Sequence, residues 1–130
     1  MEGQLFFCSE PVEWVTEYRC YVVHSRILGI HPYAVGGLPV YRLDCSELER
    51  LKPDVRPSME LVRSAIERLE QAEQSVSGYC LDFGLASTGK MSLIEMNDGL
   101  ALLNYGLSAD AYLDLHVARW QELMEMCAAG

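Results

Sequence analysis

Apolar and polar residues alternate most clearly between Gly78 and Gly106, where the chain reads as two strands around a tight turn. On the first strand Phe83 and Leu85 alternate with polar or small residues, and a second alternating segment follows residues 87–90, as expected for half-buried strands. The turn Ser87-Thr88-Gly89-Lys90 has glycine at its third position, as hairpin loops of this length often do. This stretch therefore predicts a β-hairpin.

The apolar pattern also predicts the register of this hairpin. With the loop centred between Thr88 and Gly89, the facing pairs are Asp82 with Glu95, Cys80 with Asn97, Leu81 with Met96, and Phe83 with Ile94. A slip by one residue would move Asp82 to the apolar face, so the pattern argues against it. Two carboxylates and a carboxamide are then expected to share one face of the sheet.

The pairing of Asp82 with Glu95 has two interpretations. Like charges directly opposite each other destabilise a sheet by about 0.2–1 kcal/mol, and a divalent cation with oxygen ligands, such as Mg2+, would compensate. The alternative is a solvated polar face whose acids repel weakly, because acidic side chains are mostly exposed. The spacing alone leaves both open.

Residues 1–35 are predicted to be β-structure, with a short apolar run at residues 5–8 and a hairpin whose turn is His24-Ser25-Arg26. On its first strand Tyr18, Cys20 and Val22 fall on one face, and Glu17, Arg19 and Tyr21 fall on the other. The pair Glu17 and Arg19 is either a surface ion pair of little energetic weight or an anion-binding arginine oriented by a carboxylate.

Two amphipathic helices are predicted further along the chain. Ser58 caps the first, which runs to about Ser75, and Ser108 caps the second. Their apolar stripes, both expected to face the core, are Val62, Ala65, Ile66, Leu69 and Ala72 in the first and Leu113, Val117, Trp120, Met124 and Cys127 in the second. Two smaller elements are a short edge strand at residues 39–43 and a capping box at residues 46–49 that opens a short helical turn before Pro53.

These elements predict one α+β domain spanning residues 1–130. Its antiparallel sheet has two hairpins and about five or six strands, and the two main helices pack on one face, the side of Leu81 and Phe83. Asp82, Glu95 and Asn97 then point away from the helices toward an open face, where a ligand or a second domain would lie.

Composition narrows the classes of function. The chain has 10 basic and 19 acidic residues, a net charge of −9, which argues against general binding to nucleic acid or anionic membranes. The absence of a bilayer-length apolar run and of a signal peptide predicts a cytoplasmic protein. Five scattered cysteines without a Cys-x-x-Cys motif indicate neither a zinc site nor a disulfide framework.

The ordered set of polar residues resembles the carboxy-terminal half of an ATP-grasp fold, of the clade named for an arginine and two lysines. The resemblance covers nearly the whole chain. It rests on residues 9–19 with Glu17-Tyr18-Arg19, on Asp82, on Glu95-Met96-Asn97-Asp98-Gly99, on Tyr105-Gly106 and on Ala118-Arg119-Trp120.

The resemblance implies an ATP- and Mg2+-dependent ligase that joins a small-molecule or peptide carboxylate to an amine or similar nucleophile. Asp82, Glu95 and Asn97 would ligate Mg2+. Arg19, oriented by Glu17, would bind a phosphate or the acyl-phosphate. Asp98, Gly99 and Tyr105 would line the side of the acceptor.

The chain departs from the family pattern in two respects. By resemblance, the lysines that help name the clade lie in the amino-terminal half of the cleft, whereas this chain has only Lys52 and Lys90 and no glycine-rich phosphate loop. Cys80 also stands where ATP-grasp enzymes often carry an arginine. The resemblance therefore implies the metal-binding half of a cleft. The alternative is a non-catalytic binding module that docks a partner, a second copy or an amino-terminal half through its open sheet face.

Overall fold

A computed structural model of the protein describes residues 6, 8–51 and 55–130. The apolar run at residues 5–8 lies mostly outside these ranges. Five strands form one antiparallel sheet in the order β3-β2-β1-β4-β5: β1 Trp14–Val23, β2 Arg26–Val35, β3 Leu38–Pro39, β4 Gly78–Ala86 and β5 Met91–Asp98. The helices are α1 Cys45–Leu51, α2 Met59–Gln71 and α3 Ala109–Ala129, with 3-10 turns at Val40–Arg42 and Gly99–Ala101. The predicted α+β class with an antiparallel sheet is confirmed.

The β4–β5 hairpin has the predicted register around its polar pair. Asp82 lies opposite Glu95, Cys80 opposite Asn97, and Leu81 opposite Met96. The predicted pair of Phe83 with Ile94 is wrong, because Phe83 faces Leu93. A β-bulge between Asp82 and Phe83 adds a residue to β5, which shifts the pairing toward the turn by one position.

The β1–β2 hairpin turns at His24 and Ser25, and Arg26 already begins β2. Both turn residues have positive φ, 45° and 62°, which is the backbone of a two-residue hairpin turn matched to the right-handed twist of the strands. The backbone N–H of His24 donates to the carbonyl of Ser77 at 2.9 Å. This bond ties the turn to the start of β4, so the hairpin forms without the glycine or asparagine usual in such turns.

The small elements differ from the prediction by a few residues. The edge strand ends at Pro39, and the chain continues into a 3-10 turn. The capping box of α1 uses Asp44 and Glu47: the Glu47 N–H donates to Asp44 Oδ1 at 2.8 Å, and the Asp44 N–H donates to Glu47 Oε2 at 3.0 Å. The predicted box at residues 46–49 is displaced by two positions because Asp44, which precedes the helix, is the better placed cap.

The two main helices pack on opposite faces of the sheet, which corrects the expectation that both lie on one face. In α2, Val62 and Ile66 join a cluster with Cys20, Val22, Tyr79, Leu81 and Phe83. In α3, Leu115 and Ala118 join a cluster with Tyr21, Val23, Cys80, Leu102 and Leu107. α3 covers the end of the second face that carries Tyr21, Val23 and Cys80. The Trp14 ring lies over Gly84 toward the other end, and polar side chains occupy the middle of the face.

The predicted core stripe of α3 is exposed. Leu113 is 60% exposed, Val117 42%, Trp120 57% and Met124 52%, and Cys127 is exposed as well. Contacts with the sheet orient the helix about its axis so that the opposite side, with Leu115 and Ala118, faces the core. A Cβ on Gly78 would lie 2.6 Å from the carbonyl oxygen of Leu115, so glycine there permits the close approach of α3. The Ser77 hydroxyl also donates to the carbonyl of Ala118 at 2.8 Å.

Within the described part of the chain, no helix combines the length and the apolar character needed to cross a membrane.

Candidate functional site

A row of polar side chains crosses three strands on the face that α3 leaves uncovered. Arg19 of β1 pairs with Asp82 of β4, and Asp82 pairs with Glu95 of β5. Asn97 lies two residues farther along β5 and points to the same face. The row exists because β1 is the central strand and lies directly beside β4.

Arg19 and Asp82 form a bidentate ion pair. Arg19 Nε donates to Asp82 Oδ1 at 2.9 Å, and Arg19 Nη2 donates to Asp82 Oδ2 at 2.7 Å. The Asp82 side chain is fully buried, and the Arg19 side chain is only 12% exposed. Such paired charge-assisted bonds are among the strongest in proteins. The charge of Asp82 is therefore compensated by Arg19 within the chain itself.

Asn97 bridges the two carboxylates. Its Nδ2 donates to Asp82 Oδ2 at 3.2 Å and to Glu95 Oε1 at 3.0 Å. This amide separates two like charges that register places opposite each other. The repulsion from which the sequence suggested a cation is thus relieved by Arg19 and Asn97.

The same three side chains have the chemistry of a Mg2+ site. Two carboxylates and a carboxamide are hard oxygen donors, and protein sites for Mg2+ use one or two carboxylates together with water and substrate phosphates. No group of three or more His, Cys, Asp or Glu side chains able to hold a metal occurs among residues 6, 8–51 and 55–130. Asp82 and Glu95 supply two carboxylates here. Asn97 becomes a third oxygen ligand only if its amide turns Oδ1 toward the cation.

Two neighbouring tyrosine rings lie against the guanidinium of Arg19. Its Cζ lies 5.1 Å from the ring centroid of Tyr33 and 5.6 Å from that of Tyr105, and the two ring centroids are 5.7 Å apart. Cation–π contacts at these distances are attractive. The rings and Asp82 together hold Arg19 in one orientation.

Tyr33 and Tyr105 are themselves held by hydrogen bonds. The Tyr33 hydroxyl donates to Glu17 Oε1 at 3.0 Å, so Glu17 reaches Arg19 by way of Tyr33. The Tyr21 hydroxyl accepts from the backbone N–H of Tyr105 at 3.0 Å and donates to the carbonyl of Leu103 at 2.6 Å. The loop that carries Tyr105 is therefore fastened to β1.

Tyr33 was not among the predicted site residues. His31 pairs with Arg19 across β1 and β2, and a register shift between Glu17 and Tyr18 leaves Tyr33 as the extra residue of a β-bulge. A bulge redirects side chains, so strand alternation alone could not place Tyr33 beside Arg19. The contribution of Tyr105 could not be read from any strand pattern, because it comes from a loop between the 3-10 turn Gly99–Ala101 and α3.

The protonation states follow from burial and charge. Burial by itself would lower the pKa of Arg19, but the hydrogen bonds and charge of Asp82 outweigh it and raise that pKa above its usual value. Burial, with the charges of Asp82 and Glu17, raises the pKa of Tyr33. Burial and then Asp82 raise the pKa of Cys80 to about 12, so its thiol, 3.6 Å from Asp82 Oδ1, stays protonated and is a poor nucleophile.

Asp98 and Gly99 lie at the contact with α3. Asp98 Oδ2 accepts from Arg119 Nε at 2.9 Å, and Asp98 Oδ1 accepts from the N–H of Leu100 at 3.0 Å. A Cβ on Gly99 would lie 2.5 Å from the carbonyl oxygen of Gly78. Both residues thus have packing or capping roles here, and their place on the acceptor side stays a prediction.

Comparison with known families identifies the class of protein to which this sheet and its polar row belong. Residues 1–115 match a family model for an ATP-grasp domain. That family is family 2 of the ATP-grasp clade named for an arginine and two lysines, and the chain belongs to it because the match covers most of its length. No curated protein and no solved structure gave a significant match.

Proposed function

We propose that this chain is the metal-binding half of an ATP-dependent ligase that activates a small-molecule or peptide carboxylate for attack by an amine or similar nucleophile. The observation that carries the proposal is the convergence of Asp82, Glu95 and Asn97 beside Arg19 on one sheet face. Membership in an ATP-grasp family supports the proposal.

In this proposal Asp82, Glu95 and Asn97 would hold Mg2+, which when bound would neutralise phosphate charge and align the transferred group. Asn97 contacts both carboxylates through its Nδ2, so its amide has to flip to offer Oδ1 to a cation. Glu95 is exposed and supplies the ligand on the solvent side.

Arg19 acts as the phosphate contact. Asp82 occupies Nε and Nη2, and a guanidinium has five N–H donors in a fixed fork. The remaining donors, including those of Nη1, can reach a phosphate or acyl-phosphate oxygen. Tyr33 and Tyr105 keep the fork oriented, which lowers the entropy lost when the ligand binds. The residues that grip the rest of the nucleotide would come from a second half over the same face.

The second candidate is a non-catalytic binding module. It is favoured by a specific observation: both oxygens of Asp82 are already bonded to Arg19, so the pair is satisfied without any ligand. In that case the row of polar residues would hold three strands in register, and the uncovered face would dock a partner.

The two candidates differ in metal binding. Mg2+ or Mn2+ with ADP should raise the melting temperature of the parent protein, because ligands that prefer the native state stabilise it by about 2.7 kcal/mol at a hundredfold excess over Kd. For a chain of this size the shift is roughly 5–10 °C. Glu95→Gln should abolish it, whereas Glu67→Gln on the exposed surface of α2 should keep it.

Direct binding of Mn2+, followed by electron paramagnetic resonance, checks the same site without a melting curve. A folded parent protein that shows neither a shift nor bound Mn2+ would remove the metal site and leave the binding module. In the absence of metal, Glu95→Gln should change stability by less than about 0.5 kcal/mol, because Arg19 and Asn97 already offset the charge of the facing carboxylates and glutamine keeps an oxygen that Asn97 can bond.

A further inference from the structure

The outer surface of α3 carries an apolar stripe that the fold does not use. Its members are Leu113, Val117, Trp120 and Met124, all more than 40% exposed, followed by exposed Cys127. At 100° per residue they fall within about 80° of the helix circumference. Leu115 and Ala118, which pack on the sheet, lie on the opposite side. The helix is thus apolar on two sides, and only one side meets its own core.

The spacing of the outer stripe is that of a helix-pairing seam. Successive members are separated by four, three, four and three residues, so Leu113 and Trp120 take heptad position d, and Val117 and Met124 take position a. A 3.5-residue repeat is the pattern that fits another helix winding along this one. It is not the wider stripe by which a helix usually lies on a sheet.

The charge along the seam also fits a helix of the same kind. The positions that flank it, e and g, are Asp114, His116, Gln121 and Leu123, so Asp114 is the one acidic residue at the eight seam and flanking positions between 113 and 124. Elsewhere the chain is strongly acidic, with a net charge of −9. Two copies can therefore approach along this strip without opposing rows of carboxylates.

The seam is self-complementary about a two-fold axis. In an antiparallel pair centred between Ala118 and Arg119, Leu113 faces Met124 of the second copy, and Val117 faces Trp120 of the second copy. The small Val117 then accommodates the large indole, whereas a parallel pair would oppose the two indoles. Antiparallel packing also points the two helix dipoles in opposite directions, so that they attract each other.

The geometry points to α3 as a dimerisation helix, through which the chain pairs antiparallel with a second copy of itself. The exposed part of Trp120, 57%, corresponds to about 85–140 Å² of the area that an aromatic side chain can bury. A seam of this length corresponds to the weak class of specific complexes, which bury less than about 1,200 Å² in total. This surface is separate from the polar row of Arg19 and Asp82, so the inference does not depend on the proposed ligase activity.

The first test is sedimentation equilibrium of the parent protein and of three variants. The parent should dimerise with a Kd below about 100 µM, which corresponds to a weak but specific complex. Leu113→Glu and Trp120→Glu should weaken association at least tenfold. Leu38→Glu, which places the same charge on a leucine 50% exposed at β3, should leave it within twofold. Circular dichroism confirms that each variant is folded.

Salt and cross-linking test the chemistry and the orientation of the pair. Added NaCl should strengthen association, because it screens the repulsion between two acidic copies. In a background with Cys8, Cys45 and Cys127 changed to serine, oxidation should cross-link the double variant Leu113→Cys/Met124→Cys but not Leu113→Cys alone.

Three outcomes would overturn the inference. They are a parent that stays monomeric at about 100 µM, equal loss of association in Leu38→Glu and Leu113→Glu, and efficient cross-linking of Leu113→Cys alone, which would mean a parallel pair.

Discussion

The two faces of the central sheet are built differently, although the same strands make both. The face under α2 is apolar: Cys20, Val22, Tyr79, Leu81 and Phe83 meet Val62 and Ile66, and all are buried. The other face is divided, with an apolar end under α3 and the row of Arg19, Asp82, Glu95 and Asn97 beyond it. One face serves stability alone, and the other combines a smaller core with a candidate site.

This difference shows that a polar site reduces the apolar contact area of the sheet face that carries it. Every polar residue placed on β1 and β4 removes a position from the core of that face, so α3 can be buried only where Tyr21, Val23 and Cys80 provide apolar contact. The Arg19–Asp82 pair has to satisfy itself, since the Asp82 side chain is fully buried and that of Arg19 nearly so. Substitutions on the two faces should therefore fail for different reasons.

The largest loss of stability is expected on the α2 face. Phe83→Ala removes a fully buried ring from the cluster and should lower the free energy of unfolding by about 3–5 kcal/mol. Leu93→Ala is the control, because Leu93 is the cross-strand partner of Phe83 but is 46% exposed, and its cost should stay below about 1 kcal/mol. Urea denaturation measures both. Equal costs would mean that the edge strand β5 is as well packed as β4.

On the divided face, α3 should show a sharp contrast between neighbouring leucines. Leu115→Ala creates a cavity against the sheet and should cost about 2–5 kcal/mol. Leu113→Ala, the same substitution on the outer surface, should change stability by less than about 0.5 kcal/mol at concentrations where the chain is monomeric. A larger cost for Leu113 would show that the outer stripe, not Leu115, faces the core.

Removing the charge of Asp82 tests whether the polar row is a buried pair. Asp82→Asn leaves Arg19 nearly buried without its counter-ion and should cost about 3 kcal/mol, the lower end for a broken buried pair because Arg19 keeps some solvent contact. The double variant Arg19→Met/Asp82→Asn should be more stable than Asp82→Asn alone. A double-mutant cycle in urea provides the coupling energy, and additive effects would contradict a coupled pair.

The smallest effect concerns the ion pair that fastens α3 to the end of β5. The hydrogen bond from Arg119 lowers the pKa of Asp98 below its usual 3.8. The pair therefore contributes its full stability above the usual carboxyl pKa and loses it as the pH falls through the lower folded pKa. Asp98→Asn should cost less than about 1 kcal/mol at pH 7.

That cost should shrink toward zero in strongly acidic buffer, as measured by thermal denaturation of parent and variant from pH 7 to pH 2. Arg119→Gln should reduce the same pH-dependent difference. A cost for Asp98→Asn that stays constant over this range would assign it to capping of the 3-10 turn rather than to the ion pair.

Much of the candidate site could be predicted because it depends on strand alternation. The period of two puts Arg19 with Glu17 on one face of β1, and it puts Asp82 on the polar face of its hairpin. Asp82 meets Glu95 because a shift of one residue would bury a charge among apolar side chains. The order of strands lay beyond that reasoning. Only the pairing of β1 with β4 shows that Arg19 lies beside Asp82 and forms an ion pair with it.

Local periods and short motifs are sufficient to predict which residues share a face within each strand or helix, where α2 and α3 begin, and the family to which the chain belongs. Contacts between elements set which sheet face each helix covers and which of the two apolar sides of α3 is buried. That choice depends on partners distant in the chain, since the close approach at Gly78 and the pair of Arg119 with Asp98 hold Leu115 and Ala118 inward. The spacing of apolar residues along α3 does not contain that information, because each of the two apolar sides could by itself pack on the sheet.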